Sequence, residues 1–299
     1  MGIPKTVKVV EVGPRDGLQN ETCQLSTETK IEFIDHLSLT GLKVIEVTSF
    51  VSAKKIPQLV DAEKVLKGIR RKAGVRYPVL VPNLLGFERA LHAGATEIAI
   101  FGSASETFSQ KNINCSIDES LRRFEEVTRE AKKQNMPVRA YISCAFSCPY
   151  EGKTPEKAVL SMAEKMLALG CYEVSIGDTI GVATPLQAKQ LFSSLMQVVP
   201  REKLAAHFHD TYGQALANVF SVLQEGIAVI DASVSGLGGC PYAQGATGNV
   251  ATEDVLYLLQ GLGIETGVDL NAILKVGKFI CEKLKKQTRS KVAQAVGTS

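Results

Sequence analysis

The sequence predicts an α/β fold, a (β/α)8 barrel with a C-terminal helical extension, and three observations lead there. Short runs rich in β-branched residues alternate with amphipathic helical patterns, eight of each, without a break. The strand runs are almost continuously apolar, as parallel strands are when helices cover their outer face. The length of 299 residues is usual for one such barrel and long for an ordinary single core.

Taken in order, the first strand is Val7–Val12, followed by a polar loop and the helical pattern Glu28–Leu39. Gly41 offers a left-handed helix cap before the second strand, Val44–Ser49, and its helix, Ala62–Arg71. The third pair is Tyr77–Val81 with Phe87–Ala93. Gly94 then leads into the fourth, Glu97–Phe101 with Glu119–Gln134. Val138–Ser143 with Glu156–Leu169 is the fifth, and Gly170 leads into the sixth, Tyr172–Gly177 with Leu186–Val198. The seventh is Leu204–His209 with Gln214–Glu225. Gly226 opens the last, Val229–Val234 with Glu253–Leu262. The shared glycine-plus-short-link joint marks echoes of one βα unit, each crossover long enough for parallel pairing. Beyond the eighth unit, Leu270–Lys286 reads as a further amphipathic helix, and Val292–Ser299 as a tail that frays. No linker rich in Pro, Gly and Ser divides the chain. Residues 1–265 are therefore expected to form the barrel and 266–299 a helix and tail of the same domain.

Composition narrows the function. A net charge of +3, spread along the chain, does not argue for nucleic acid, though it suits an anionic small molecule. No apolar run approaches the roughly 20 residues of a membrane span. Seven scattered cysteines without a secretory signal are expected to be reduced thiols, and a cytoplasmic chain is expected. The start Met1-Gly2-Ile3-Pro4-Lys5-Thr6 matches the permissive N-myristoylation pattern, a minor alternative.

In a barrel the working groups stand where strands end. Those ends carry Arg15 and Asp16, Glu46, Asp178, His207 and His209, and a glycine loop, Gly236–Gly239, that precedes Cys240, with Asn249 beyond it. His207 and His209 are the sharpest local signal, because residues i and i+2 of a strand face the same side. Alone, such a pair is as readily two half-buried histidines capping a strand. Asp16 and Asn249 nearby favour a metal, and a mixed imidazole, carboxylate and amide set suits Mg2+ or Mn2+ better than a closed zinc site. Adjacent Arg15 and Asp16 are either a plain ion pair at a strand end or, since adjacent residues tend to point apart, a metal ligand beside a group that meets substrate. Glu46, inside an apolar strand, needs a partner such as Arg15. The glycine loop lacks the P-loop's Gly-Lys-Ser/Thr and reads as a segment that delivers Cys240.

The blocks Val10–Asn20, Ile45–Val51, Lys111–Ser116, Gly177–Gly181, His207–Thr211 and Gly236–Tyr242 together resemble the 3-hydroxy-3-methylglutaryl-CoA (HMG-CoA) lyases, in family order and over nearly the whole chain. The resemblance implies cleavage of HMG-CoA to acetoacetate and acetyl-CoA, a step of ketone-body formation and leucine degradation. It implies an acyl-CoA substrate and a homodimer, with a mitochondrial matrix location open if this is a processed form. It places Mg2+ or Mn2+ on Asp16, His207, His209 and Asn249, Arg15 on the thioester carbonyl, and Cys240 in catalysis. Glu46, Asp178 and Glu253 are placed in or near the site, and Asp178 or His209 is left as the base. Ser235 departs from an alanine common in the family. The Val296-Gly297-Thr298-Ser299 end lacks a Cys-Lys-Leu signal, so thiol regulation and peroxisomal addressing are not carried over. The rivals are a Claisen-type synthase or aldolase of the same superfamily, a metal-dependent hydrolase, for which four histidines are few, and a barrel that only binds.

Overall fold

The computed structural model describes residues 2–52, 55–239 and 248–297. Its strands, in chain order, are β1 (Lys8–Glu11), β2 (Val44–Ile45), β3 (Thr48–Ser49), β4 (Val79–Leu80), β5 (Ile98–Ser103), β6 (Val138–Ser143), β7 (Ser147–Cys148), β8 (Gly152–Lys153), β9 (Glu173–Asp178), β10 (Leu204–Phe208) and β11 (Val229–Ala232). Nine of them form one parallel sheet in the order β2-β1-β11-β10-β9-β6-β5-β4-β3, and β7 pairs with β8 as a small antiparallel ribbon. The two ends of that order lie within one short run of chain, 44–49. Ile45 donates its N–H to Arg76 on one side and Glu46 to Glu11 on the other. Every predicted strand is represented, most of them trimmed at an end, and Val44–Ser49 is split into β2 and β3.

The helices are α1 (Thr27–Ser38), α2 (Ala62–Gly68), α3 (Leu84–His92), α4 (Glu106–Ile113), α5 (Ile117–Lys133), α6 (Glu156–Ala168), α7 (Pro185–Leu195), α8 (Ala215–Gln224), α9 (Thr252–Gly261), α10 (Leu270–Leu284) and α11 (Lys291–Val296). Their ends follow local chemistry. Ser26, Asn83, Ser105 and Ser116 each accept a first-turn N–H through the side chain. In α5, Asp118 and Glu119 sit in the first turn and Lys132 and Lys133 in the last, matching the helix dipole. The joint glycines Gly41, Gly94, Gly170 and Gly226 all have φ between 84° and 96°, the left-handed cap the sequence calls for. The main core packs Phe33, Leu37, Phe87, Phe124, Val159, Phe192 and Val222 of the helices against the sheet.

Three expectations are corrected. Helix α4, ahead of α5, was not foreseen, because Glu106-Thr107-Phe108-Ser109-Gln110 carries few apolar residues. It forms around the Ser105 cap and buries Phe108. The second helical pattern stops at Gly68 and not at Arg71, since Ile69 turns to extended backbone. The tail does not fray from Val292: residues 291–296 are helical. Asp254, in the first turn of α9, accepts from Ser290 Oγ (2.6 Å) and from the N–H groups of Lys291 and Val292 (3.1 and 2.9 Å). A buried carboxylate thus ties the extension down. Among the described residues no helix is long and apolar enough to cross a membrane.

Candidate active site

The carboxyl ends of the strands gather the predicted residues. After β1 the chain makes a wide helical turn over Gly13–Gly17, in which the N–H groups of Arg15, Asp16 and Gly17 all converge on the Val12 carbonyl at 2.8 to 3.2 Å. This turn aims Arg15 and Asp16 inward. It also presses against the eighth strand end. A Cβ on Gly17 would lie 2.8 Å from Ser233 Oγ and 2.9 Å from Leu237 Cβ, so any larger residue would push the turn away.

His207 is the penultimate residue of β10, and His209 follows the strand in extended backbone bridged to Asn249. Val250 donates to Phe208 O and Asp210 to Gly248 O, so the chain returning from the glycine loop lies along the end of β10. That pairing brings Asn249 beside the histidines, a placement spacing alone could not show. The Nε2 atoms of His207 and His209 lie 3.3 Å apart and face Asp16 Oδ2 at 4.0 and 3.8 Å. Asn249 Nδ2 donates to the same oxygen at 2.8 Å. Burial works against the charge on Asp16, but the Arg15 guanidinium together with His209 and His207 outweighs it, and the carboxyl is held well below the usual range.

These residues fit a divalent cation. Two imidazole nitrogens and a carboxylate oxygen converge on one point, where only a proton or a cation relieves the facing lone pairs. Asn249 Oδ1 is buried without a hydrogen-bond partner, an orphaned acceptor that a cation would satisfy.

Glu46, wholly buried between β2 and β3, has the partner the sequence demanded: Arg15 Nε donates to Glu46 Oε2 at 2.7 Å, and Arg15 Nη1 to Asp16 Oδ1 at 2.6 Å. Burial still raises the Glu46 carboxyl against the pull of Arg15. The Tyr141 hydroxyl donates to the same Glu46 oxygen at 3.1 Å, and its ring lies under Arg15 and Arg139 with each guanidinium carbon about 5 Å from the centroid. Sequence reading missed Tyr141, Arg139 and Asp231. The signal that singles out Glu46, a charge inside an apolar strand, applies equally to Arg139 in β6 and Asp231 in β11. Arg139 and its neighbours hold the Asp231 carboxyl well below its ordinary range despite complete burial.

Asp178 and Glu253, expected in or near the site, are both engaged by backbone N–H groups there. Both oxygens of Asp178 accept backbone N–H groups, from Val182 (3.1 Å) and Ala183 (2.9 Å), so the side chain shapes the turn after β9. Thr179 and not Asp178 lines the cavity. Glu253 lies under the glycine loop and accepts the Ser235 N–H with both oxygens at 3.0 and 2.9 Å. Beside it, Glu11 accepts from Gly13 N (2.8 Å), Val234 N (2.9 Å) and Thr252 Oγ1 (2.7 Å), joining the first and eighth strand ends. Burial pushes Glu11 up to about 7 and Glu253 up to about 8. Ser235, the departure from alanine, adopts φ 58° between Glu253 and the Arg289 N–H. Cys240 lies outside the described residues.

A cavity of about 810 Å³ opens above this floor, lined at its base by Arg15, Asp16, His207 and His209 and walled by Phe101, Phe108 and Phe124. Its outer side carries Lys55, Asn112 and Arg123, polar and cationic groups suited to an extended anionic ligand.

The chain matches the family model described as HMGL-like over residues 6–280. It is 58% identical over 294 residues to the cytoplasmic 3-hydroxy-3-methylglutaryl-CoA lyase of Mus musculus, spanning 98% of this chain and 86% of that protein. To the mitochondrial hydroxymethylglutaryl-CoA lyase of Homo sapiens it is 59% identical over 293 residues, 98% of this chain and 90% of the other. The crystal structure of hydroxymethylglutaryl-CoA lyase from Pseudomonas aeruginosa superposes with a TM-score of 0.97 at 55% identity, covering 99% of both chains.

Proposed function

This chain belongs to the HMGL-like family, and from that premise we propose that it is a divalent-metal-dependent carbon–carbon lyase that cleaves HMG-CoA to acetoacetate and acetyl-CoA. The observation that carries the reading is the convergence of Asp16, His207 and His209 beside the Arg15–Glu46 pair, at the floor of a cavity large enough for an acyl-CoA end. We take the sheet to close into a (β/α)8 barrel, because the run 44–49 bonds to neighbours on both sides, with residues 266–299 part of the same domain.

Asp16, His207, His209 and Asn249 are the residues that would hold Mg2+ or Mn2+. Bound there, the ion would acidify the tertiary hydroxyl of the substrate and fix it for cleavage. Arg15, held at Nε by Glu46 and at Nη1 by Asp16, lines the cavity. Placed against the thioester carbonyl, it stabilises the oxygen that gains charge as the enolate forms, a role worth about 3 kcal/mol. The chemistry balances as follows. A base takes the hydroxyl proton, the bond from the carbinol carbon to the CH2 beside the thioester breaks, and its electron pair passes into the enolate. The carbinol carbon becomes the ketone of acetoacetate. Cys240 then delivers a proton to the enolate carbon, giving acetyl-CoA, and the resulting thiolate recovers the proton held by the base. Of the two candidates for that base, His209 lines the cavity, whereas Asp178 is committed to backbone N–H groups.

A homodimer is the expected assembly, read by light scattering against the 32.2 kDa chain mass. The relatives include forms named cytoplasmic and mitochondrial, and either location suits this reading. The deciding experiment measures acetoacetate release from HMG-CoA before and after chelation, with Mg2+ or Mn2+ restored. Release that needs the ion supports the proposal. A purified, folded enzyme that releases none with either ion overturns it.

A further inference from the structure

We propose that Asp231, gripped by Arg139, is a positioning residue that fixes His207 with its proton on Nδ1 and its Nε2 bare toward Asp16 and His209. The inference rests on the metal-site reading above and assigns a role to groups that do not touch the substrate cavity.

The sheet register makes the contact. Asp231 of β11 stands directly opposite His207 of β10, so the two side chains leave adjacent parallel strands on the same face. Asp231 Oδ2 lies 3.2 Å from His207 Nδ1. Every other group on this carboxylate is a donor. Arg139 Nη2 reaches Oδ1 at 2.7 Å, Arg139 Nη1 reaches Oδ2 at 3.1 Å, and Ser175 Oγ reaches Oδ2 at 2.7 Å. A carboxylate so held by a bidentate guanidinium can only accept, so the imidazole donates from Nδ1. Its other nitrogen is then the lone-pair atom, as a metal ligand must be.

The grip is built from below. Arg139 is wholly buried, and its Nε donates to Glu173 Oε1 at 2.7 Å, while Lys8 Nζ holds the other Glu173 oxygen at 2.6 Å. Arg139 Nη1 also donates to the Tyr141 hydroxyl at 2.8 Å, which leads through Glu46 to Arg15 and Asp16. One guanidinium therefore backs both limbs of the site, the imidazole side and the Arg15 side. His209 has no counterpart to Asp231, since its Nδ1 is buried without a partner. The asymmetry separates a device aimed at His207 from a general need to satisfy buried imidazoles. A bidentate buried pair could also serve the fold alone, and such pairs are weak evidence for stability by themselves. The tests are chosen to tell the two apart.

The first uses the wild-type protein. With only four histidines in the chain, long-range 15N–1H spectra of the metal-free enzyme, assigned by substituting His36 and His92, resolve each imidazole. In its neutral form His207 is expected to show a protonated Nδ1 and a bare Nε2; a bare Nδ1 overturns the proposal. The second measures Mn2+ binding by calorimetry. Asp231→Asn should weaken it roughly 10- to 100-fold, the usual cost of losing such a support. An affinity within about threefold of wild type refutes the role. Because the single variant strands the Arg139 charge, the paired Arg139→Gln, Asp231→Asn variant follows. It should fold by circular dichroism yet keep the weakened Mn2+ binding. Recovery of wild-type affinity in the paired variant would make the pair structural only. Wild-type protein that binds no Mn2+ would instead defeat the metal reading itself, and the tautomer measurement would still decide whether Asp231 holds His207.

Discussion

Replacing Glu11 by Gln is expected to stabilise the protein at alkaline pH and to leave it nearly unchanged at acid pH. Glu11 is fully buried, and burial moves its carboxyl from 4.5 to about 7 despite three hydrogen bonds, from Thr252, Val234 and Gly13. The sign follows from which state holds the proton. Between these values the folded chain keeps it and the unfolded chain has lost it, so stability falls as pH rises through the window and levels off above about 7. At 1.36 kcal/mol per pH unit, the wild type carries a cost of about 1 kcal/mol at pH 5 and about 3 kcal/mol at pH 8. Glutamine keeps the geometry. Its Oε1 accepts from Gly13 and Val234 as before, and its Nε2 donates to Thr252 Oγ1, which can act as acceptor. Having no charge, it carries none of that cost. Glu253, the neighbouring carboxyl on α9, remains in both proteins; burial is the largest cause of its own shift and is common to both, while loss of the Glu11 charge removes a smaller repulsion from it. Urea unfolding followed by circular dichroism at pH 5 and pH 8 gives the two gaps. A gap between variant and wild type that does not widen by about 2 kcal/mol across that range refutes the reasoning.

His209→Ala should lose most Mn2+ binding by calorimetry and nearly all turnover, because its Nε2 is one of three donors facing a single point; wild-type affinity in this variant would remove it from the site. Gly277→Ala should lower stability by about 1 to 3 kcal/mol in chemical unfolding, although alanine favours a helix by about 1 kcal/mol. A Cβ there would stand 2.6 Å from Glu253 Oε1 and 2.7 Å from Ser235 Oγ, both held beneath the glycine loop, and an unchanged midpoint would show that they yield freely. Cys240→Ser should fold and bind Mn2+ normally while kcat falls about a hundredfold or more with little change in KM, as for a positioned general acid; a variant with near-normal kcat would take Cys240 out of the mechanism.

Much of the architecture was legible because each strand and helix announces itself locally. The joint glycines and the apolar runs act over a few residues, and the structure reproduces them with shifts at the ends and one break, at Glu46 and Val47. What failed was marginal or non-local. Helix α4 has too polar a face to be read by periodicity, and α11 depends on a carboxylate from α9, 36 to 38 residues earlier. The same division runs through the site. His207 and His209 are visible because strand geometry makes them neighbours, and Arg15 with Glu46 because a buried charge needs an opposite one. Asn249 becomes a neighbour of His209 only through the returning segment, which no spacing rule anticipates.

The missed residues share a physical cause. Apart from the contact between Arg139 and Tyr141 themselves, Arg139, Tyr141 and Asp231 meet their partners across 24 to 95 residues of chain, and each stands in an apolar strand where it passes for an isolated exception. Buried charges cannot be exceptions singly, since each costs several kcal/mol unless another group answers it. Once Glu46 requires Arg15, and Arg15 also faces Asp16, the second buried arginine requires its own carboxylates, and Asp231 and Glu173 supply them. The inward face of a parallel sheet brings such residues together whenever they occupy matching levels on neighbouring strands, as Asp231 and His207 do. Polar residues at matching levels inside otherwise apolar strands are therefore better read as one set than one at a time. In this chain that set runs without a gap from Lys8, through Glu173, Arg139 and Asp231, to the imidazole that faces the cation site.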